Sequence, residues 1–229
     1  MVTQLLKKCA ILSLLSSLFL PLVAYAGGVG LGATRVIYPS ENKQVSLSVR
    51  NSDEKGFFLI QSWVEDNQGK KVNDFVITPP LFMIKPMSEN SLRITYTGKA
   101  LPTDKESAYR IVVKAIPSKD KKADNVNENS LQIAVASRIK LFYRPSNLTM
   151  NVDDAQQKLL VEQRGKELVV NNPTPYFITL SKVSVGGKLL PNVMVEPESE
   201  MKMPIPAGAV GNIAYSTIND FGGLTVGRK

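Results

Sequence analysis

No histidine occurs anywhere in the chain, and its one cysteine is Cys9. Without histidine, the commonest general base and the commonest metal ligand are both missing. Cys9 lies in a segment read below as a cleaved leader. The mature chain then has no thiolate for catalysis, no zinc–sulfur site and no disulfide. Aromatic residues make up 7% of the chain, with a single tryptophan, and the positive charge is spread along its length. That gives none of the basic stripe with interleaved rings that marks a nucleic-acid surface. Helical patterning is also missing, since no segment carries a sustained apolar helical face. The stretch Gly27-Gly28-Val29-Gly30-Leu31-Gly32 lacks the Lys-Ser/Thr that completes a phosphate loop and reads as a flexible N-terminus. Asp220-Phe221-Gly222 matches a kinase tripeptide, but no other kinase element accompanies it. No catalytic residue, cofactor or metal is expected, and the chain does not read as an enzyme.

Residues 1–26 carry Lys7 and Lys8, an apolar run from Ala10 to Leu20, and the small-residue exit Ala24-Tyr25-Ala26. This is the pattern of a secretory signal peptide cut near Ala26. The run is short for a membrane anchor. Removing it lowers the formal charge of +8 by two. An exported chain without disulfides rests on its hydrophobic core, and the remaining length is enough to build one.

The rest reads as strands separated by Gly, Pro, Asn and Asp. QVSLSVRN places Val45, Leu47 and Val49 on one face, and ENSLRITYTG does the same with Leu92, Ile94 and Tyr96. VNDFVITPPLFMIKP holds two short strands around Pro79-Pro80. After Arg144-Pro145-Ser146-Asn147 the pattern restarts, and Val185-Gly186-Gly187-Lys188 has the glycines of a tight hairpin turn. Short strands at this spacing predict an all-β protein of two antiparallel sandwiches, residues 27–147 and 148–229. The polar segment SKDKKADNVNENS, between Pro117 and Leu131, reads as a solvated loop.

One segment breaks the pattern. NSLQIAVASRIKLFYRP, residues 129–145, alternates like a strand over roughly three ordinary strand lengths. Leu131, Ile133 and Val135 form its apolar row. Alternation alone would turn that row into a core. Its position at a domain end, after a polar loop, instead suits an edge strand, and Leu131 to Ser137 contains none of the charges or prolines that usually protect an edge. An exposed row of this kind can pair with another chain's edge and fill its apolar groove. It also leaves self-association through the same edge open.

Seven stretches together are similar to a known family: GATRVIYP (32–39), QSWVED (61–66), TPPLF (78–82), KESAYRIVVKAIP (105–117), LQIAVASRIKLFYRP (131–145), NPTPY (172–176) and TINDFGGLT (217–225). They resemble, in order, the PapD and FimC family of periplasmic chaperones that serve pilus assembly by the chaperone–usher route. The chain departs from the pattern after Glu106-Ser107, where Ala108-Tyr109-Arg110 stands in place of an expected Leu-Phe-Trp. The absence of mature cysteine and the short loop before Leu131 resemble the short-loop subclass.

The resemblance implies two immunoglobulin-like sandwiches set as an L around a cleft. It implies donor-strand complementation, in which Leu131, Ile133 and Val135 complete an open subunit core. It makes Arg35 and Lys140 the pair that grips the subunit's C-terminal carboxylate, and Glu106, Arg144 and Asp220 an interdomain charge network. As surface ion pairs these three would set geometry more than stability. The implied partners are pilus subunits and an outer-membrane usher, and the implied compartment is the periplasm. The alternative is a structural pilus subunit or adhesin, but that would be one incomplete domain with an N-terminal donor extension.

Overall fold

The computed structural model describes residues 27–118 and 132–227. The expected leader, most of the polar loop and Leu131 lie outside the described residues. The first half contains β1 (Val29–Leu31), β2 (Arg35–Pro39), β3 (Val45–Asn51), β4 (Phe58–Glu65), β5 (Lys71–Val72), β6 (Phe75–Thr78), β7 (Leu81–Ile84), β8 (Ser88–Tyr96), β9 (Ser107–Pro117) and β10 (Val135–Arg144). They form two sheets, β1-β3-β8-β6 and β2-β10-β9-β4-β5, with β7 also beside β4. The second half contains the helix α1 (Val152–Gln156), then β11 (Leu160–Arg164), β12 (Glu167–Asn172), β13 (Ile178–Val185), β14 (Lys188–Leu189), β15 (Val193–Val195), β16 (Ser199–Pro204), β17 (Ile213–Ile218) and β18 (Leu224–Val226). Its sheets are β11-β12-β16 and β14-β13-β17-β18, with β15 beside β13.

The period-2 patterns do what the alternation predicts. Leu47 and Val49 of β3 face Leu92 and Ile94 of β8 inside the first sandwich, all at most 2% exposed. Ile60, Val64, Ile111, Val113 and Leu141 supply the opposite wall of that core. A second, separate core gathers Leu168, Val170, Ile178, Leu180, Val183, Val185 and Tyr215. Two closed apolar clusters make two immunoglobulin-like sandwiches, as the sequence predicts.

Each domain plugs the end of one strand with a buried asparagine. Asn51 donates from Nδ2 to the carbonyls of Gly56 and Lys85. Asn172 donates to those of Tyr176 and Glu196, and its Oδ1 accepts from the Thr174 amide and hydroxyl. Both side chains are 0% exposed, and their bonds hold the irregular turns that follow.

Three expectations need correction. Val29–Leu31 is not a flexible terminus but strand β1, in antiparallel register with Val49–Asn51. Among the described residues one helix occurs, the five-residue α1, started by the Asn151 side chain accepting from the Asp153 amide. It is too short to show an apolar period. The long strand is also shorter than its alternation suggests, because β10 begins only at Val135. Val135 pairs with Ala115 of β9, so position 133 falls opposite Pro117, which has no N–H to give.

The hairpin at Val185-Gly186-Gly187-Lys188 forms as predicted, with φ of 54° and 79° at the two glycines. A Cβ at Gly186 would lie 2.2 Å from the Val210 carbonyl oxygen, whereas one at Gly187 would meet nothing within 4 Å. Gly187→Ala therefore carries only the left-handed backbone cost, about 1 kcal/mol. Gly186→Ala adds a clash with backbone and is expected to be the more destabilising. Urea unfolding of the two variants checks the order, and equal losses would contradict it.

Candidate functional site: an open strand edge ending at a cationic cleft

Strand β10 carries the site. Its odd positions face the first domain's core: Leu141 is buried there, and Ile139 and Tyr143 pack against it. The same row then runs out of its own core, and Val135 is 59% and Ile133 64% exposed. Two of the three residues of the predicted row thus stand in solvent, and the third, Leu131, is outside the described residues. The even positions face the second domain. Phe142 meets Phe177 at 5.9 Å between ring centres, and Lys140 and Arg144 both reach across.

The two edges of β10 differ. On one side β9 pairs with it from Val135 to Tyr143. On the other, β2 runs parallel but pairs only from Lys140 to Arg144, starting at Arg35. Among the described residues, no strand therefore lies beside the edge from Val135 to Ile139 on the β2 side. The predicted cation pair closes that gap, because Arg35 and Lys140 are direct register partners. Neighbours across a ladder share a face, so both heads enter the cleft.

Each cation is held by the second domain. The Arg35 guanidinium donates to the Ile218 carbonyl at 3.0 Å and lies over the Phe142 ring, while its buried Nε has no partner among the described residues. Burial holds Arg35 below the ordinary arginine range, against the pull of Asp220 and Glu106. Lys140 donates to the Thr179 hydroxyl at 2.9 Å and contacts the Met194 sulfur at 3.0 Å. Burial, reinforced by the charges of Arg35 and Arg110, lowers its pKa to about 8. Sequence spacing gave no sign of Thr179, Met194 or the Ile218 carbonyl, which come from a separate domain far along the chain.

The third predicted constellation also assembles. Arg144 donates from Nε to Glu106 Oε1 at 2.6 Å and from its two terminal nitrogens to Asp220 at 2.7 and 2.8 Å. The other Glu106 oxygen accepts the Phe177 amide at 2.9 Å, and the Glu106 amide donates to the Pro175 carbonyl. Arg144 also lies over the Tyr176 ring. The expectation of a surface network was wrong: the Glu106 side chain is 1% exposed and that of Arg144 18%. Its partners come from both domains, so docking them covers it. Burial opposes charge on both Arg144 and Glu106. For Arg144 the hydrogen bonds and charges of Asp220 and Glu106 win, and its pKa is raised. For Glu106 burial pushes the carboxyl up against the pull of Arg144 and the Phe177 amide.

Two sandwiches, an apolar strand edge open on one side and a cationic cleft at its end define the class of this fold and site. Comparison with known proteins gives that class its family. Residues 28–149 match the model of the pili and flagellar-assembly chaperone PapD N-terminal domain, and residues 154–229 match that of the pili assembly chaperone PapD C-terminal domain. The chain is 49% identical to chaperone protein FimC of Escherichia coli O6:H1 over 199 residues, 86% of this chain and 82% of that protein. It is 46% identical to the probable fimbrial chaperone LpfB of Escherichia coli O157:H7 over 218 residues, 94% and 93% of the two chains. The crystal structure of the periplasmic chaperone SfaE superposes with a TM-score of 0.75 at 44% identity, covering 88% of this chain and all of that one. A chain in the structure of Salmonella enterica SafA pilin in complex with the SafB chaperone gives 0.78 at 32% identity, covering 89% and 95%. The chain belongs to the PapD family of pilus-assembly chaperones. It is a fimbrial chaperone and not a structural pilus subunit.

Removing Arg144 would strand a buried carboxylate. Arg144→Ala is expected to cost about 3–5 kcal/mol at neutral pH, the usual loss for breaking a buried pair. Without its partner, Glu106 has a folded-state pKa further above its unfolded value. Such a group favours folding at low pH and loses that contribution as pH rises through the folded pKa. The stability gap between variant and wild type should therefore widen from pH 4 to pH 8, as read by urea unfolding. A gap independent of pH would contradict the assignment.

Proposed function

We propose that this chaperone captures pilus subunits in the periplasm by lending them β10, and delivers them to an outer-membrane usher without catalysing any reaction. Its working parts are a signal peptide, residues 1–26, a strand-donating domain, 27–147, and a second domain, 148–229, that closes the cleft. The chaperones it resembles include one described as periplasmic and one whose structure contains a bound pilin. Among the described residues no helix is long and apolar enough to cross a membrane. The observation that carries the reading is the register of Arg35 against Lys140 at the point where β2 stops covering β10.

A guest strand laid along Val135–Ile139 occupies the line that β2 vacates. A guest whose C-terminus meets Arg35 runs in the same direction as β2, and so parallel to β10. Its carboxylate then meets the Arg35 guanidinium, of which one terminal nitrogen is engaged by the Ile218 carbonyl, and the remaining Lys140 N–H, both charge-assisted donors. Meanwhile Leu131, Ile133 and Val135 enter the guest's open core. Full burial of such side chains contributes about 1.5–3 kcal/mol each before ordering costs. A one-residue slip would turn the row away, so anchor and row fix one register. Glu106, Arg144 and Asp220 hold the interdomain angle that keeps the cleft open. Without a guest, the same edge is available to a second copy of the chain.

Co-expression with pilus subunits in a periplasm tests this directly. Arg35→Ala and Lys140→Ala should each abolish protection of the subunit from proteolysis while the chaperone stays folded. Ile133→Glu should do the same through the row. Protection retained by all three variants would refute the proposal.

The lowered pKa of Lys140 adds a pH signature. A carboxylate guest raises that pKa again, so binding takes up a proton above about pH 8. Below that value Lys140 is charged with or without guest, and affinity is flat. Above it, affinity falls by up to about tenfold per pH unit. Calorimetric titration of a captured subunit from pH 7 to 9.5 reads the slope. Affinity that stays constant across that range would contradict the lysine's role.

A further inference from the structure

The cleft-facing row holds one more cation than the anchor needs. Arg110, in the middle of β9, is the register partner of Lys140 on one side and of Glu65 on the other. Arg35, Lys140, Arg110 and Glu65 therefore lie across four adjacent strands on one face. The obvious partner of Arg110 is already occupied. Glu65, buried at 6% exposure, accepts from Trp63 Nε1 at 2.9 Å through one oxygen and from Arg138 Nε at 3.3 Å through the other. Among the described residues, no hydrogen bond or ion pair ends on the Arg110 guanidinium. Its charge instead acts on Lys140, where it opposes the ammonium. A half-buried strand position would be served by an apolar side chain at no such cost. It is also the place where the sequence departs from the aromatic residue that the family resemblance leads one to expect.

One terminal carboxylate has two oxygens and one charge, which suits Arg35 and Lys140 and leaves Arg110 unmatched. We propose that Arg110 is a specificity residue that pairs with an oxygen-bearing side chain on one of the client's last two residues, with a carboxylate, Asp or Glu, preferred over an amide. The inference rests on the anchor reading above. Strand alternation turns only one of those two side chains to the cleft face. Arg110 lies two strand spacings, ~10 Å, from the line on which the guest ends. An arginine and an acidic side chain approaching from opposite sides of Lys140 bridge that span. The charged row then selects among clients at their C-termini, where the donor row, being purely apolar, cannot.

Short synthetic peptides of alternating Val and Thr, labelled at the N-terminus, serve as probes. Each ends as a free acid with Glu, Gln or Leu at the last or the next-to-last position, and one series carries a C-terminal amide. Fluorescence anisotropy with the full chain should give Glu over Leu by about fivefold at one of the two positions, with Gln between. Arg110→Gln should lose that preference, and Arg110→Lys should keep most of it. Unfolding midpoints establish that both variants are folded. Equal Glu-to-Leu ratios in wild type and Arg110→Gln would overturn the proposal. If that happens while wild type still prefers acid over amide, Arg110 alone is misassigned. If acid and amide bind alike, the anchor reading fails and this proposal fails with it.

Discussion

Strand β10 is paired along all but its last residue on one side and along only half of its length on the other, and the rest of the molecule is arranged around that asymmetry. An open apolar edge costs a soluble protein dearly, because it invites uncontrolled pairing. Here it is confined to Val135–Ile139 and the residues just before, and it ends against Arg35 and Lys140. An arbitrary strand can slide along a bare edge, but under the anchor proposal only a chain terminus bearing a carboxylate matches its end. On that proposal, edge and end together convert a hazard into a selective site.

Alternation lets one strand serve two purposes. Ile139, Leu141 and Tyr143 belong to the owner's core, and Val135 and Ile133 continue the same row beyond it. Rigid packing of the first part holds the second in position. Lys140, Phe142 and Arg144 on the other face fasten the strand to the second domain. The strand thus carries the proposed donor row, one of the two proposed anchor cations and the arginine that bonds to both Glu106 and Asp220. The buried Glu106–Arg144–Asp220 contact costs desolvation that its hydrogen bonds must offset, which is why its proposed role is to fix one domain arrangement more than to add stability.

Much of this was legible in the sequence, and the physical reasons are specific. Leu47, Val49, Leu92 and Ile94 announce their strands because a half-buried sheet enforces a period of two. Gly186 and Gly187 announce their turn because left-handed backbone favours glycine. Arg35, Lys140 and the network residues could be placed only through resemblance, since a lone cation on a strand looks like any surface charge. Thr179, Met194 and the Ile218 carbonyl left no local trace, being set by how two domains dock. The end of β10 at Val135 was hidden because alternation continues past Pro117, where pairing does not. Arg110 was visible only as a departure from pattern, and its meaning came from Glu65 being already engaged by Arg138 and Trp63.

The most direct measurement is a crystal structure of the chaperone with a captured pilus subunit. A subunit strand is expected parallel to β10 along Val135–Ile139, with its terminal carboxylate between Arg35 and Lys140 and with Ile133 and Val135 inside the subunit's core. A complex in which those side chains are folded back into the chaperone, or in which the subunit's terminus lies away from the two cations, would contradict it.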